Sequence, residues 1–259
     1  MFSLILPAYN PGPGVERTWR AVARFVADRA ARGAAWEAVF VLDGCTDGTD
    51  DRLAALAAGG DPRVRVLGYP KNRGKGAAVR AGLLAARGAY RVFTDVDLAY
   101  SFDDVDRLAD ALRAGAGVAI ASREHADSRV TIPPRLLGHT FRRRLQSRAF
   151  GAAVRLLLPL AQRDTQAGLK GMSAAVAERV VPELRCDGFG FDCELLTACA
   201  RAGIPVAETP VCVQYDDRAS TTGAGAGFQM LREVWGIRRR WRNRTLAPVP
   251  APLPVSKAA

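Results

Sequence analysis

Tyr90-Arg91-Val92-Phe93-Thr94-Asp95-Val96-Asp97-Leu98 is the stretch on which the reading of this chain turns. Arg91 to Thr94 reads as a short buried strand that runs straight into two carboxylates separated by one residue. In an extended chain, residues two apart point the same way, so Asp95 and Asp97 address one point. Two hard oxygen ligands at the mouth of a sheet suit a divalent cation that also takes phosphate oxygens. The competing reading is an acidic turn that caps the next helix, since Asp103, Asp104 and Asp106 follow closely. Spacing leaves both open, because D-x-D is a common pair.

Around that stretch, strand and helix patterns alternate. Ser3 to Leu6 is a buried run ended by a Pro/Gly loop, and Val15, Trp19, Val22 and Val26 mark a helix to about Ala31. Ala38 to Leu42 is a second strand, closed by Asp43-Gly44-Cys45-Thr46-Asp47-Gly48-Thr49. A helix through Leu53, Leu56 and Ala57 leads to a strand at Val64 to Leu67, and Asn72-Arg73-Gly74-Lys75-Gly76 turns into an Ala-rich helix. After Asp95 come a helix through Leu108 and Leu112 and a strand at Val118 to Ala121. The order implies βαβ units around a mostly parallel sheet, an α/β fold of Rossmann-like type. Ligands of such sheets sit beyond the carboxyl ends of the strands. The loops Tyr9-Asn10, Asp43-Gly44 and Asp95-Val96-Asp97 therefore gather at one edge, the expected site.

The second half is read as Arg-rich. Phe141 to Leu160 reads as a helix with Arg144 and Arg148 one turn apart, and Asp164 to Lys170 as a polar turn. Phe191-Asp192-Cys193-Glu194 opens another helix with its acids in the first turn. Ile204 to Val213 is a Pro-punctuated edge-type strand, and Thr221 to Gly227 is a flexible loop or a lid. A last helix carries Met230, Val234, Ile237 and Trp241 as an apolar stripe among five arginines, and the tail after Leu246 is expected to be disordered. The expected division is a nucleotide-sugar half at 1–121, an acceptor half of the same domain at 122–246, and the tail at 247–259.

Thirty-seven Lys and Arg against 26 Asp and Glu give a net charge of +11, which favours anionic partners: nucleic acid, an anionic membrane face or phosphorylated substrates. No helix-turn-helix, zinc-finger, RRM or KH signature is present, so a nucleic-acid partner is not expected. Five cysteines without metal-ligand pairing read as reduced thiols of a cytosolic protein. His125 and His139, unpaired in an Arg-rich stretch, read as surface residues. The N-terminus lacks a basic n-region, and no run of 18 apolar residues occurs, so no signal peptide or spanning helix is expected. Arginines alternating with Leu, Phe and Trp suit a peripheral protein snorkelling at a membrane surface.

Together, Leu6-Pro7-Ala8-Tyr9-Asn10, the Asp43 to Thr49 segment, Asn72 to Gly76 and Asp95-Val96-Asp97 resemble the family 2 inverting glycosyltransferases, which have the GT-A fold. Ser122-Arg123, Asp164-Thr165-Gln166-Ala167-Gly168-Leu169-Lys170 and Phe191 to Leu196 look like the dolichyl-phosphate (polyprenyl-phosphate) glucosyltransferase branch. The resemblance runs over roughly Ser3 to Asp217. It implies that Pro7, Ala8 and Tyr9, with Asn10 beside them, line the nucleotide base and that Asp43 accepts a base N–H. It implies Asp95, Val96 and Lys75 near the ribose and diphosphate of UDP-glucose, and Mg²⁺ or Mn²⁺ on Asp97 with Asp95 beside it. Arg123, Arg144 and Arg148 match positions that hold phosphate, and Gln166, Asp192 and Glu194 lie around sugar and acceptor. The acceptor so implied is a polyprenyl phosphate; a soluble hydroxyl acceptor, with Asp192 as base, is the alternative. Pro11, Leu42, Cys45, Ala167 and Leu169 depart from the family pattern, and many relatives carry transmembrane helices that have no counterpart here.

Overall fold

The computed structural model describes residues 1–131, 151–152, 154–158, 160–214 and 226–247. Arg144, Arg148, His139, most of the expected 141–160 helix, the 221–225 loop and the tail from 248 lie outside the described residues.

Among the described residues, seven strands form the main sheet. β1 (Phe2–Ala8), β2 (Trp36–Asp43), β3 (Val64–Tyr69), β4 (Tyr90–Phe93) and β5 (Val118–Ala121) match the apolar runs of the sequence, with β1, β2 and β3 each longer by up to two residues at an end and β4 shifted by one residue. Strands buried on both faces need no polar alternation, which is why they read as continuous apolar runs. Their side chains still divide between two cores. Ile5, Val39, Val41, Phe93 and Ile120 enter one, and Leu4, Leu6, Phe40, Val92 and Ala119 the other. α1 (Gly14–Ala31), α2 (Thr49–Ala58) and α4 (Phe102–Arg113) pack on the second face. α3 (Lys75–Ala85), α5 (Ala174–Val180), α6 (Phe191–Arg201) and α7 (Ala226–Trp241) pack on the first.

The second half departs from the expectation in three places. Lys170 does not end a turn: Lys170–Ser173 is β7, and it runs antiparallel between β4 and β5 in the order β3-β2-β1-β4-β7-β5-β8, where β8 is Val206–Thr209. A four-residue stretch holding a lysine and a glycine carries no strand signal of its own. The 204–213 strand is two strands, β8 (Val206–Thr209) at the sheet edge and β9 (Cys212–Gln214), parted at Pro210, which has no N–H to donate. β9 pairs with β6 (Arg129–Thr131) in a small second sheet. Third, the stripe of α7 expected to face a membrane faces the core: Val234, Ile237 and Trp241 are buried.

The two halves share this sheet, since β7 and β8 from beyond residue 122 complete it. All five cysteines are free, and Cys186, Cys193 and Cys199 are buried.

Candidate active site

The loops after β1, β2 and β4 meet at the carboxyl end of the sheet and are knitted to one another. Asn10, at φ 47°, accepts the Thr46 N–H on Oδ1 at 2.8 Å and donates from Nδ2 to Thr46 Oγ1 at 3.2 Å. Asp47 accepts the Gly12 N–H at 2.7 Å, and Thr18 Oγ1 donates to the Val96 carbonyl at 2.9 Å. Burial works to raise the Asp47 pKa, but the hydrogen bonds from Thr49 and Gly12 outweigh it and hold the carboxyl low. Tyr9 stands half-exposed on the rim.

Asp43 is spent on this scaffold. It is buried, and its carboxylate accepts the N–H groups of Arg73 and Gly74 at 2.8 and 2.9 Å and the Asn72 amide at 3.1 Å. It thus ties the turn before α3 to the end of β2. Two N–H groups of the first turn of α3 are also taken: Gly76 and Ala77 donate to the Asp187 carbonyl at 2.8 and 3.3 Å. What α3 offers a ligand is its first side chain, Lys75.

Asp95 and Asp97 do not sit in extended chain. They lie in a turn closed by the Leu98 N–H on the Asp95 carbonyl at 3.1 Å, with Leu98 at φ 53°. The capping reading falls elsewhere too, because Ser101 and Asp104 form the capping box of α4. The two carboxylates nevertheless address one region. Protein crowded around the mouth, and next the charge of Asp95, hold the Asp97 pKa above the usual carboxylate value. Lys75 Nζ pairs with Asp95 Oδ1 at 2.7 Å. Burial opposes its charge, but Asp95, Asp192 and Asp97 together raise its pKa. Gly168 lies against the Asp95 carboxylate so closely that a Cβ there would overlap it.

On the acceptor side Arg123 is gripped as a fork by Asp164, Nε to Oδ2 at 2.7 Å and Nη2 to Oδ1 at 2.8 Å, with the Arg123 N–H adding a third bond at 3.0 Å. Burial would raise the Asp164 pKa; the Arg123 hydrogen bonds and charge more than reverse that. Tyr100 is buried beside this pair, its phenol pushed up by burial. Gln166 donates to Cys193 Sγ at 3.2 Å.

The two acids of α6 turn inward. Asp192 is bound by Lys170, whose Nζ lies 2.7 Å from Oδ1 and also donates to the Ala167 carbonyl. Glu194, fully buried, accepts the Arg185 and Cys186 N–H groups at 2.8 and 2.6 Å, Trp241 Nε1 at 3.1 Å, and the Arg240 guanidinium. Sequence reasoning placed both around the substrates. In the fold Glu194 joins α6 to α7, and Asp192 reaches the site through the field it exerts on Lys75. Asp164, Lys170 and Gly168 were missed as site residues. Lys170 within Leu169-Lys170-Gly171-Met172 carried the one available signal, a lone charge in an otherwise apolar run.

Residues 3–178 match the family described as glycosyl transferase family 2. The chain belongs to the family 2 glycosyltransferases. The enzyme is 32% identical over 244 residues to the dolichyl-phosphate beta-glucosyltransferase of Drosophila melanogaster, covering 91% of this chain and 73% of that one. Its counterpart of the same name in Saccharomyces cerevisiae is 28% identical, with 91% and 73% covered. The glucosyl-3-phosphoglycerate synthase of Mycobacterium tuberculosis, solved with Mn²⁺, UDP-glucose and phosphoglyceric acid, superposes with a TM-score of 0.62 at 19% identity, over 92% of this chain and 80% of that one. At that identity the likeness carries the GT-A fold, as the sequence led us to expect. No described helix is long and apolar enough to cross a membrane.

A divalent cation fits this site. Among the described residues no group of three or more His, Cys, Asp or Glu holds an ion by protein alone. Mg²⁺ and Mn²⁺ at phosphate-transfer sites need only one or two carboxylates and complete their shell with phosphate oxygens and water. Asp97, with its raised pKa beside a second carboxylate, is the group a cation would relieve.

Proposed function

We propose that this enzyme transfers glucose from UDP-glucose to a polyprenyl phosphate at a membrane surface, with inversion. The observation that carries the reading is the division of the carboxylates: Asp95 and Asp97 face the mouth of the sheet, whereas Asp192 and Glu194 are committed to cations and N–H groups within the fold. A hydroxyl acceptor needs a base, and neither carboxylate of α6 is available as one. A phosphate monoester needs none, being largely a dianion at pH 7 with a second pKa of about 6. Its oxygen attacks C1 of the sugar from the face opposite UDP, the C1–O bond to the diphosphate breaks, and UDP leaves with the electron pair.

Pro7, Ala8, Tyr9 and Asn10 border the place of the base, with Asp43 holding the loop beneath rather than the base itself. Lys75 offers a positive charge toward the diphosphate while it pairs Asp95. Asp97, with Asp95, would hold Mg²⁺ or Mn²⁺, which when bound supplies Lewis-acid stabilisation of the departing diphosphate. Arg123, set by Asp164 in the planar geometry that matches phosphate oxygens, orients the acceptor with Gln166 nearby. Arg144 and Arg148 join it on the strength of the family pattern. In this reading residues 1–121 serve the donor and 122–246 the acceptor. The names of the Drosophila and yeast relatives support glucose and a dolichyl phosphate, and the Mn²⁺ and UDP-glucose of the mycobacterial structure support the cofactor and donor.

The test is a donor screen with UDP- and GDP-sugars and a short-chain polyprenyl phosphate, scored by release of the nucleoside diphosphate and by the anomeric configuration of the product. UDP-glucose with metal is expected to give the β-linked lipid phosphate. Preference for a hydroxyl acceptor, or retention at C1, overturns the reading.

A further inference from the structure

A second charged surface lies at the far end of α6. Asp192 stands in the first turn of this helix at the site and Arg201 ends it, about 13 Å away at the rise of an α-helix. There Arg155, Leu156, Arg201, Arg238 and Arg242 line a cavity of about 360 Å³ with no Asp or Glu among the described residues of its wall. Arg201 Nε is buried with no hydrogen-bond partner. Among the described residues, Arg155 and Arg238 donate to backbone carbonyls, of Arg163 at 3.3 Å and Leu157 at 3.0 Å. Among the described residues none of the four arginines is paired with a carboxylate. Four guanidinium groups gathered without an acid, three of them exposed, make a positive patch that attracts an anion.

The apolar groups beside the cavity specify that anion further. On α7, Leu231, Trp235 and Arg238 fall at i, i+4 and i+7, one stripe along the edge of the helix that Arg242, the residue just after its end, continues. Its core face is the other set, Val234, Ile237 and Trp241. Leu231 is 40% exposed, Trp235 60%, and Leu156 across the cavity 82%. A free phosphate has no use for such groups. A bilayer rim does: arginines meet the phosphates while tryptophan and leucine enter the boundary below them.

We propose that this face of α7, with Arg155, Leu156 and Arg201, docks the enzyme on an anionic phospholipid leaflet. The proposal rests on the reading of a lipid-linked acceptor and adds the residues by which the protein reaches it. They are not the buried α7 stripe that the sequence suggested.

The experiment uses phosphatidylcholine vesicles with and without phosphatidylglycerol. The protein is expected to cosediment with the anionic vesicles, less so as salt rises. Trp19, Trp36 and Trp241 are buried, so a blue shift of emission on binding reports Trp235, and Trp235→Phe should abolish it. Arg155→Gln with Arg242→Gln should lower partitioning roughly 25-fold, as each basic residue near an anionic leaflet contributes roughly fivefold. Lipid-free hydrolysis of UDP-glucose by that double variant should be unchanged. Equal binding to neutral vesicles, wild-type partitioning by the double variant, or an unmoved Trp235 emission each overturns the proposal. Transfer to a water-soluble polyprenyl phosphate by a protein that ignores vesicles sinks the docking face and leaves the acceptor reading intact. Groove-dependent docking without any such transfer does the reverse.

Discussion

Lys170 Nζ lies 2.7 Å from Asp192 Oδ1, both side chains out of solvent, at the meeting of β7 and the first turn of α6. The same ammonium holds the Ala167 carbonyl, one residue before the glycine that packs on Asp95. Beyond Asp192 stand Lys75, then Asp95 and Asp97, so charges of alternating sign lead from the core to the mouth of the site.

Lys170→Met is therefore expected to destabilise the protein by about 3–5 kcal/mol, because it strands a buried carboxylate. Urea unfolding measures this. Adding Asp192→Asn should recover a large part of the loss; a double variant no more stable than the single one would show that the pair is not the reason.

Asp97→Asn should lower kcat/KM about 100-fold or more while the fold persists, and abolish Mn²⁺ binding followed by electron paramagnetic resonance. Since the protein crowded around it and the Asp95 charge raise the Asp97 pKa, the carboxylate takes up its proton at higher pH than an ordinary one. Wild-type Mn²⁺ affinity should accordingly begin to fall, on acidification, above the usual carboxylate range. Titrating Mn²⁺ across that range checks the direction.

Gly168→Ala pushes a methyl into the Asp95 carboxylate. Misplacing one member of a positioned pair is expected to cost about 100-fold in turnover, with only a small change in denaturant midpoint. A variant that loses stability but keeps its kcat would separate Gly168 from the site.

Asp164→Asn breaks a charge-assisted fork and should cost about 2 kcal/mol at neutral pH. The Asp164 pKa is lowered in the fold, so its contribution is fully present above the ordinary carboxylate pKa and is lost as pH falls through the folded value. Stabilities of wild type and variant should converge at acid pH. A gap that stayed constant down to the lowest pH would contradict the linkage.

The alternation of strand and helix, the meeting of the loops after β1, β2 and β4, and the family of the chain were all legible in the sequence. Those features rest on local periodicity and on motifs whose residues are neighbours along the chain. The tertiary structure decided the rest. β7 exists because β4 and β5 supply partners on both sides, and nothing in Lys170-Gly171-Met172-Ser173 announces it. Asp43, Asp192 and Glu194 look like ligand-binding carboxylates until the turn before α3, a lysine on β7 and the end of α7 are seen to occupy them. α7 carries apolar residues on two faces, and its sequence cannot say which one meets α6. Hydrogen-bond partners and the buried face of a helix are set by contacts between segments far apart in the chain, and those form only when the sheet closes.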